Sequence, residues 1–210
     1  MDSRTPSPSR AYWLKTLHQW HWISSAVCLL GMLLFSLTGI TLNHASQIEA
    51  SPEVVRSAAT LPAALQARLA ALDSAERSGP VPAELRSWFS SALGIDVDEA
   101  AAADWSPEEI YLALPRPGGD AWVRIDRETG EAEYERTDRG WVSYFNDLHK
   151  GRHTGVAWSW FIDVFAVASL LFSITGLFIL KLHAANRPST WPIVGLGVVI
   201  PVVLALLFIH

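Results

Sequence analysis

Three apolar runs, at residues 23–42, 158–182 and 191–209, decide what this chain can fold into. Each approaches or reaches the ~20 residues that a helix rising ~1.5 Å per residue needs to cross a bilayer. With hydrophobic residues at 50 % and ten tryptophans, the chain is too apolar for an ordinary soluble domain of its size, and the excess is confined to these runs. The expected architecture is a membrane all-α bundle of three transmembrane helices with a small α+β domain inserted between the first and second. Residues 1–44 would form a cytoplasmic tail and the first helix, 45–153 the inserted domain, 154–183 the second helix, and 184–210 a short link and the third helix.

The first run has a basic lead-in, as a cleavable signal peptide would. Asn43-His44-Ala45-Ser46, however, places asparagine where a small residue belongs, and the apolar stretch is long for a leader, so an uncleaved span is expected. The single cysteine, Cys28, lies inside that span, which excludes a disulfide framework and a thiolate metal site and leaves an apolar packing role. Orientation follows from the short flanking segments, where lysine and arginine favour the cytoplasm. Arg4, Arg10 and Lys15 stand against Asp2 in the N-terminal tail, and the link between the second and third runs carries Lys181 and Arg187 with no acid. Both segments are expected inside. The inserted domain, with nearly all the acidic residues, and the end of the third helix would then face outward.

Within the inserted domain, Leu85, Trp88, Phe89 and Leu93 recur at helical spacing over residues 81–93, with Pro82 in the first turn and Gly94 as the stop. Strands are expected at 109–115, 121–126 and 131–137, with Arg127-Glu128-Thr129-Gly130 as the turn between the last two. The alanine-rich stretch 51–79, broken by Pro62, suits a helix over 63–75. The acids here are scattered, no histidine precedes His149 and no nucleophile stands in a motif. A binding or shielding module is therefore expected, and not a catalytic one.

Six of the seven histidines mark helix ends. His18 and His21 lie where the first helix enters the membrane and His44 where it leaves; His149 and His153 precede the second helix and His183 ends it. Any one of them could rest at headgroup depth as an amphipathic side chain. Their grouping says more, because the 26 residues from His18 to His44 span ~39 Å of helix and put one histidine at each face of the bilayer. Residues 33–40, Leu-Leu-Phe-Ser-Leu-Thr-Gly-Ile, are matched by residues 170–177, Leu-Leu-Phe-Ser-Ile-Thr-Gly-Leu, on a helix of opposite direction. Such a repeat suits a pseudo-two-fold axis in the membrane plane, with sites at the repeat interface. The symmetry would pair His18 with His183 inside and His44 with His153 outside. Gly39 and Gly176 would leave room beside a flat ligand, or serve ordinary small-residue helix packing.

Two imidazoles from antiparallel helices at one depth suit axial ligation of haem iron. Zinc would want about four ligands, and no carboxylate or thiolate accompanies either pair. Asp163, the only carboxylate within a span, could hydrogen-bond the free nitrogen of a ligand histidine, or could be solvated near the interface.

Leu17-His18-Gln19-Trp20, the segment from Leu37 to His44, the segment from Asp147 to Gly155, Asp163 and Ile174-Thr175-Gly176-Leu177 together resemble the PepSY-associated transmembrane proteins. The insert is similar to a PepSY domain, which would lie in the periplasm of a bacterium whose inner membrane holds the helices. Some larger members are inner-membrane reductases of ferric siderophores that carry haem on transmembrane histidines. The resemblance implies that His44 with His149 or His153 are outer-face ligands and that His18 is the inner one on the first helix. Those reductases have a fourth helix, so one or two haem b groups per chain, completed within the chain or across a homodimer, are the arrangements implied. The partners implied are the lipid bilayer, a ferric siderophore as substrate and a separate electron donor, since the chain has no Gly-rich nucleotide motif; no nucleic-acid partner is expected. The leading expectation is thus an electron-transfer protein acting as a haem-dependent ferric-siderophore reductase. The alternative is a membrane-anchored PepSY binding or regulatory protein without redox activity. A metal or proton transporter using Asp163 and the outer histidines is a third, for which three helices are few.

Overall fold

The computed structural model describes residues 8–49, 51–71 and 77–209. Asp2 and Arg4 of the tail, His210 and the end of the helix expected over 63–75 lie outside the described residues. In chain order the elements are α1 (Pro8–Asn43), β1 (Glu53–Thr60), α2 (Ala63–Ala70), β2 (Arg77–Pro80), α3 (Ala83–Trp88), β3 (Ala102–Trp105), β4 (Glu109–Ala113), β5 (Gly119–Asp126), β6 (Glu131–Asp138), α4 (Gly140–Lys150), α5 (Gly155–His183) and α6 (Thr190–Phe208). They fall into two compact units. One holds the described residues up to 34 together with 160 onward, the other residues 35–159, so α1 and α5 each contribute to both.

Among the described residues three helical stretches are long and apolar enough to cross a membrane: Ala11–Asn43, Gly155–Asn186 and Thr190–Phe208. Their large side chains point outward, among them Leu30, Leu33, Val164, Leu170, Ile193 and Leu206, all exposed. A helix in water turns its apolar stripe inward; helices apolar all round suit lipid. Cys28 is fully buried, with its Sγ 3.7 Å from Met32 Sδ, in keeping with a packing role.

The unit of residues 35–159 contains a six-stranded antiparallel sheet in the order β1-β6-β5-β4-β3-β2. Alternate side chains turn to one face: Ala103 and Trp105 on β3, Ile110 and Leu112 on β4, Val123 and Ile125 on β5, Ala132 on β6. Against them pack Leu61, Leu69 of α2, Val81, Leu85 of α3 and Phe89. Burying each of the larger of these side chains stabilises the fold by about 1.5–3 kcal/mol relative to exposure. On the other face Tyr111 stacks on Trp122 with ring centres 6.3 Å apart, flanked by Arg124–Glu133 and Arg56–Glu135 ion pairs.

The expected strands over 109–115, 121–126 and 131–137 are present as β4, β5 and β6. The turn between β5 and β6 is built on Asp126, whose Oδ1 accepts hydrogen bonds from the Glu128 and Thr129 amides and the Thr129 hydroxyl. The helix expected over 81–93 is shorter: α3 ends at Trp88, and residues Phe89–Leu93 widen into a π-turn before left-handed Gly94. β1 falls in the alanine-rich stretch 51–79, ahead of the helix expected over 63–75. It is an edge strand, exposed along seven of its eight residues, so it carries no alternation of apolar and polar residues to announce it. β2 and β3, four residues each, were too short to be read from pattern.

The helix α4 also escaped pattern reading, and it carries His149. Asp147, buried, accepts the Gly118 amide at 2.9 Å and so ties α4 to the loop before β5. Gly118 has φ +75, and a Cβ there would lie 2.8 Å from Tyr144 Cα. Only glycine permits that approach. At the other end Gly151, φ +66, stops α4, with its amide on Leu148 O at 3.1 Å and the Arg152 amide on Asp147 O at 2.9 Å.

Candidate functional site

In the unit built from residues up to 34 and from 160, the histidines of α1 and α5 meet. His18 and His183 have ring centres 6.5 Å apart, with the planes at 77°. Each binds its own helix: His18 Nδ1 lies 2.8 Å from Leu14 O, and His183 Nδ1 lies 2.8 Å from Ile179 O. A carbonyl oxygen can only accept, so the neutral form of each ring carries its proton on Nδ1 and leaves Nε2 with a lone pair. That is the state a metal-binding imidazole needs, oriented by a hydrogen bond to its other nitrogen.

One turn beyond His18 on α1, His21 lies across α5. Its Nδ1 is 3.0 Å from Thr175 Oγ1, its ring stacks on Phe172 at 4.7 Å and 16°, and its Cε1 is 3.2 Å from where a Cβ on Gly176 would stand. Thr175 is buried, and its hydroxyl is within 2.6 Å of Leu171 O and 3.1 Å of Phe172 O.

The unit of residues 35–159 repeats this arrangement with another histidine. His149 of α4 has Nδ1 2.7 Å from Thr38 Oγ1, its ring 4.9 Å from that of Phe35, and Cε1 3.7 Å from the Cβ position of Gly39. Thr38 donates to Phe35 O at 3.1 Å. Beside it Thr41 donates to Asn146 at 2.8 Å, which fixes the register of α4 on the end of α1. His44, just past α1, binds Ile40 O through Nδ1 at 3.0 Å, the same arrangement as in His18 and His183.

Of the expected pairs, His18 with His183 is brought together. His44 and His153 share no ring contact among the described residues. His153 is exposed and stands at φ +56, left-handed backbone for a non-glycine residue, in the short turn between α4 and α5. Asp163 is exposed and makes no hydrogen bond or ion pair among the described residues. Main-chain carbonyls and threonine hydroxyls make the histidine Nδ1 contacts. His21, Thr38 and Thr175 were missed as site residues. The sequence did carry their signal, in the repeated Phe-Ser-x-Thr-Gly, whose glycines face an imidazole.

Helices of membrane-spanning length, an antiparallel sheet borne in the chain between the first two, and histidines clustered on those helices define a membrane protein with imidazole sites. The family model described as PepSY_TM-like matches residues 12–210, nearly the whole chain, and the protein belongs to that family. No curated protein and no solved structure matches it.

Proposed function

We propose that the protein binds haem b and passes electrons across a bacterial inner membrane to an extracytoplasmic acceptor, ferric iron in a siderophore. The supporting observation is the His18–His183 pair, 6.5 Å between ring centres, with each Nε2 left as a lone-pair donor. At that spacing the two imidazoles would hold one haem iron between them. Among the described residues no three His, Cys, Asp or Glu side chains gather to hold a bare metal ion.

When bound, haem would supply the one-electron chemistry of its iron. His18 and His183 would hold one group, and His44 with His149 or His153 a second or the only other. No residue has to move a proton for such a transfer. Lys15, Lys181 and Arg187 beside the spans favour a cytoplasmic N-terminus and α5–α6 link, with the sheet in the periplasm. A separate protein would donate the electrons.

The test is a reduced-minus-oxidised absorption spectrum with haem quantification on protein made with ample haem. Sharp low-spin bands are expected, with His18→Ala and His183→Ala losing the same component and His44→Ala a different one. One or two haems per chain, or one per two chains, separates a complete chain from a homodimer-built site. Absence of haem would refute the proposal in favour of a membrane-anchored binding protein, for which the Tyr111–Trp122 stack on the open sheet face offers a contact surface.

A further inference from the structure

The repeat at residues 33–40 and 170–177 serves one geometry twice, in two units that share none of the residues involved. Phenylalanine, threonine and glycine at i, i+3 and i+4 lie on one face of a helix. There each copy makes the three contacts an imidazole offers: the aromatic ring meets its face, the hydroxyl meets Nδ1, and the missing Cβ leaves space for Cε1. We propose that each copy is a cradle that fixes a histidine from another helix as its Nδ1–H tautomer, with Thr38 and Thr175 as positioning residues for His149 and His21.

The tautomer follows from counting protons. A hydroxyl has one proton and two lone pairs. The Thr38 proton goes to Phe35 O, and the Thr175 proton goes to the Leu171 or Phe172 carbonyl. Each oxygen can then only accept from the imidazole, so Nδ1 is the donor and Nε2 keeps its lone pair. His18, His44 and His183 reach the same state through carbonyls of their own helix. The opposite assignment would have threonine give its proton to Nδ1 and forgo its backbone bond, leaving Nε2 protonated and unable to bind a metal. Presentation of the His149 Nε2 to haem iron rests on the proposed function; the two tautomers do not.

The experiment is nitrogen-15 NMR of histidine-labelled full chain in detergent micelles, prepared with and without haem. In the haem-free chain, His21 and His149 should report protonated Nδ1 and bare Nε2. Thr38→Val should shift the tautomer of His149 alone and Thr175→Val that of His21 alone, while Thr38→Ser and Thr175→Ser retain the wild-type pattern. With haem present, Thr38→Val should shift the midpoint potential or the low-spin bands and Thr38→Ser should restore them, since His149 is the cradled histidine among the proposed ligands. Protonated Nε2 in the wild type, or unchanged tautomers in both valine variants, would overturn the cradle. Locked tautomers in a chain that never takes up haem would refute the haem proposal and leave the cradle standing.

Discussion

Alanine at the two cradle glycines should have opposite effects. At Gly39 the new Cβ would stand 3.7 Å from His149 Cε1, an ordinary carbon–carbon contact. Gly39→Ala should therefore gain the usual ~0.5–1 kcal/mol of replacing a helical glycine. At Gly176 the distance to His21 Cε1 is 3.2 Å, and the ring must retreat by a few tenths of an ångström. Its retreat stretches a 3.0 Å bond to Thr175 Oγ1, and Phe172, stacked at 4.7 Å, restricts tilting. Overpacking costs about 1–3 kcal/mol, and weakening a hydrogen bond worth about 1 kcal/mol adds to it. After the helix gain, Gly176→Ala should destabilise by about 1 kcal/mol, leaving the two variants roughly 2 kcal/mol apart. Thermal unfolding in detergent, followed by circular dichroism, should separate their midpoints by several degrees, since about 2–4 °C accompanies each kcal/mol in a chain of this size. Equal midpoints, or Gly39→Ala the less stable, would refute the cradle distances as the cause.

Gly118→Ala combines a left-handed backbone with a Cβ 2.8 Å from Tyr144 Cα, which cannot swing away, so it should cost more than about 2 kcal/mol and speed hydrogen exchange across α4. Exchange in α4 matching wild type would contradict this. Phe89→Ala, at 1 % exposure in the sheet core, should cost about 3–5 kcal/mol in chemical unfolding. The Thr129 backbone amide and hydroxyl hold the Asp126 carboxyl below its ordinary value. A carboxyl depressed on folding contributes stability above its unfolded value and loses it as pH falls through the folded one. The wild-type advantage over Asp126→Asn at neutral pH should therefore shrink below about pH 4; a pH-independent difference in unfolding midpoint would count against it.

Sequence alone determined the features set by local pattern. Three spans follow from uninterrupted apolar runs, because a helix in lipid needs only length and apolarity along its own chain. β4, β5 and β6 follow from alternation at half-buried positions. The histidines at the helix ends, and the repeat that hinted at pairing His18 with His183, were also legible, since a helix converts residue number into depth. Tertiary structure decided what depends on distant partners. β1 is exposed on both faces and is a strand only because β6 pairs with it along its whole length. α4 is held by Asp147 on Gly118, by Asn146 on Thr41 and by His149 on Thr38, contacts 29, 105 and 111 residues apart in sequence. The same holds for the role of the repeat. Glycine beside threonine suits a flat ligand or close helix packing equally well, and only the fold, by laying His21 and His149 over those two positions, makes each of them an imidazole cradle.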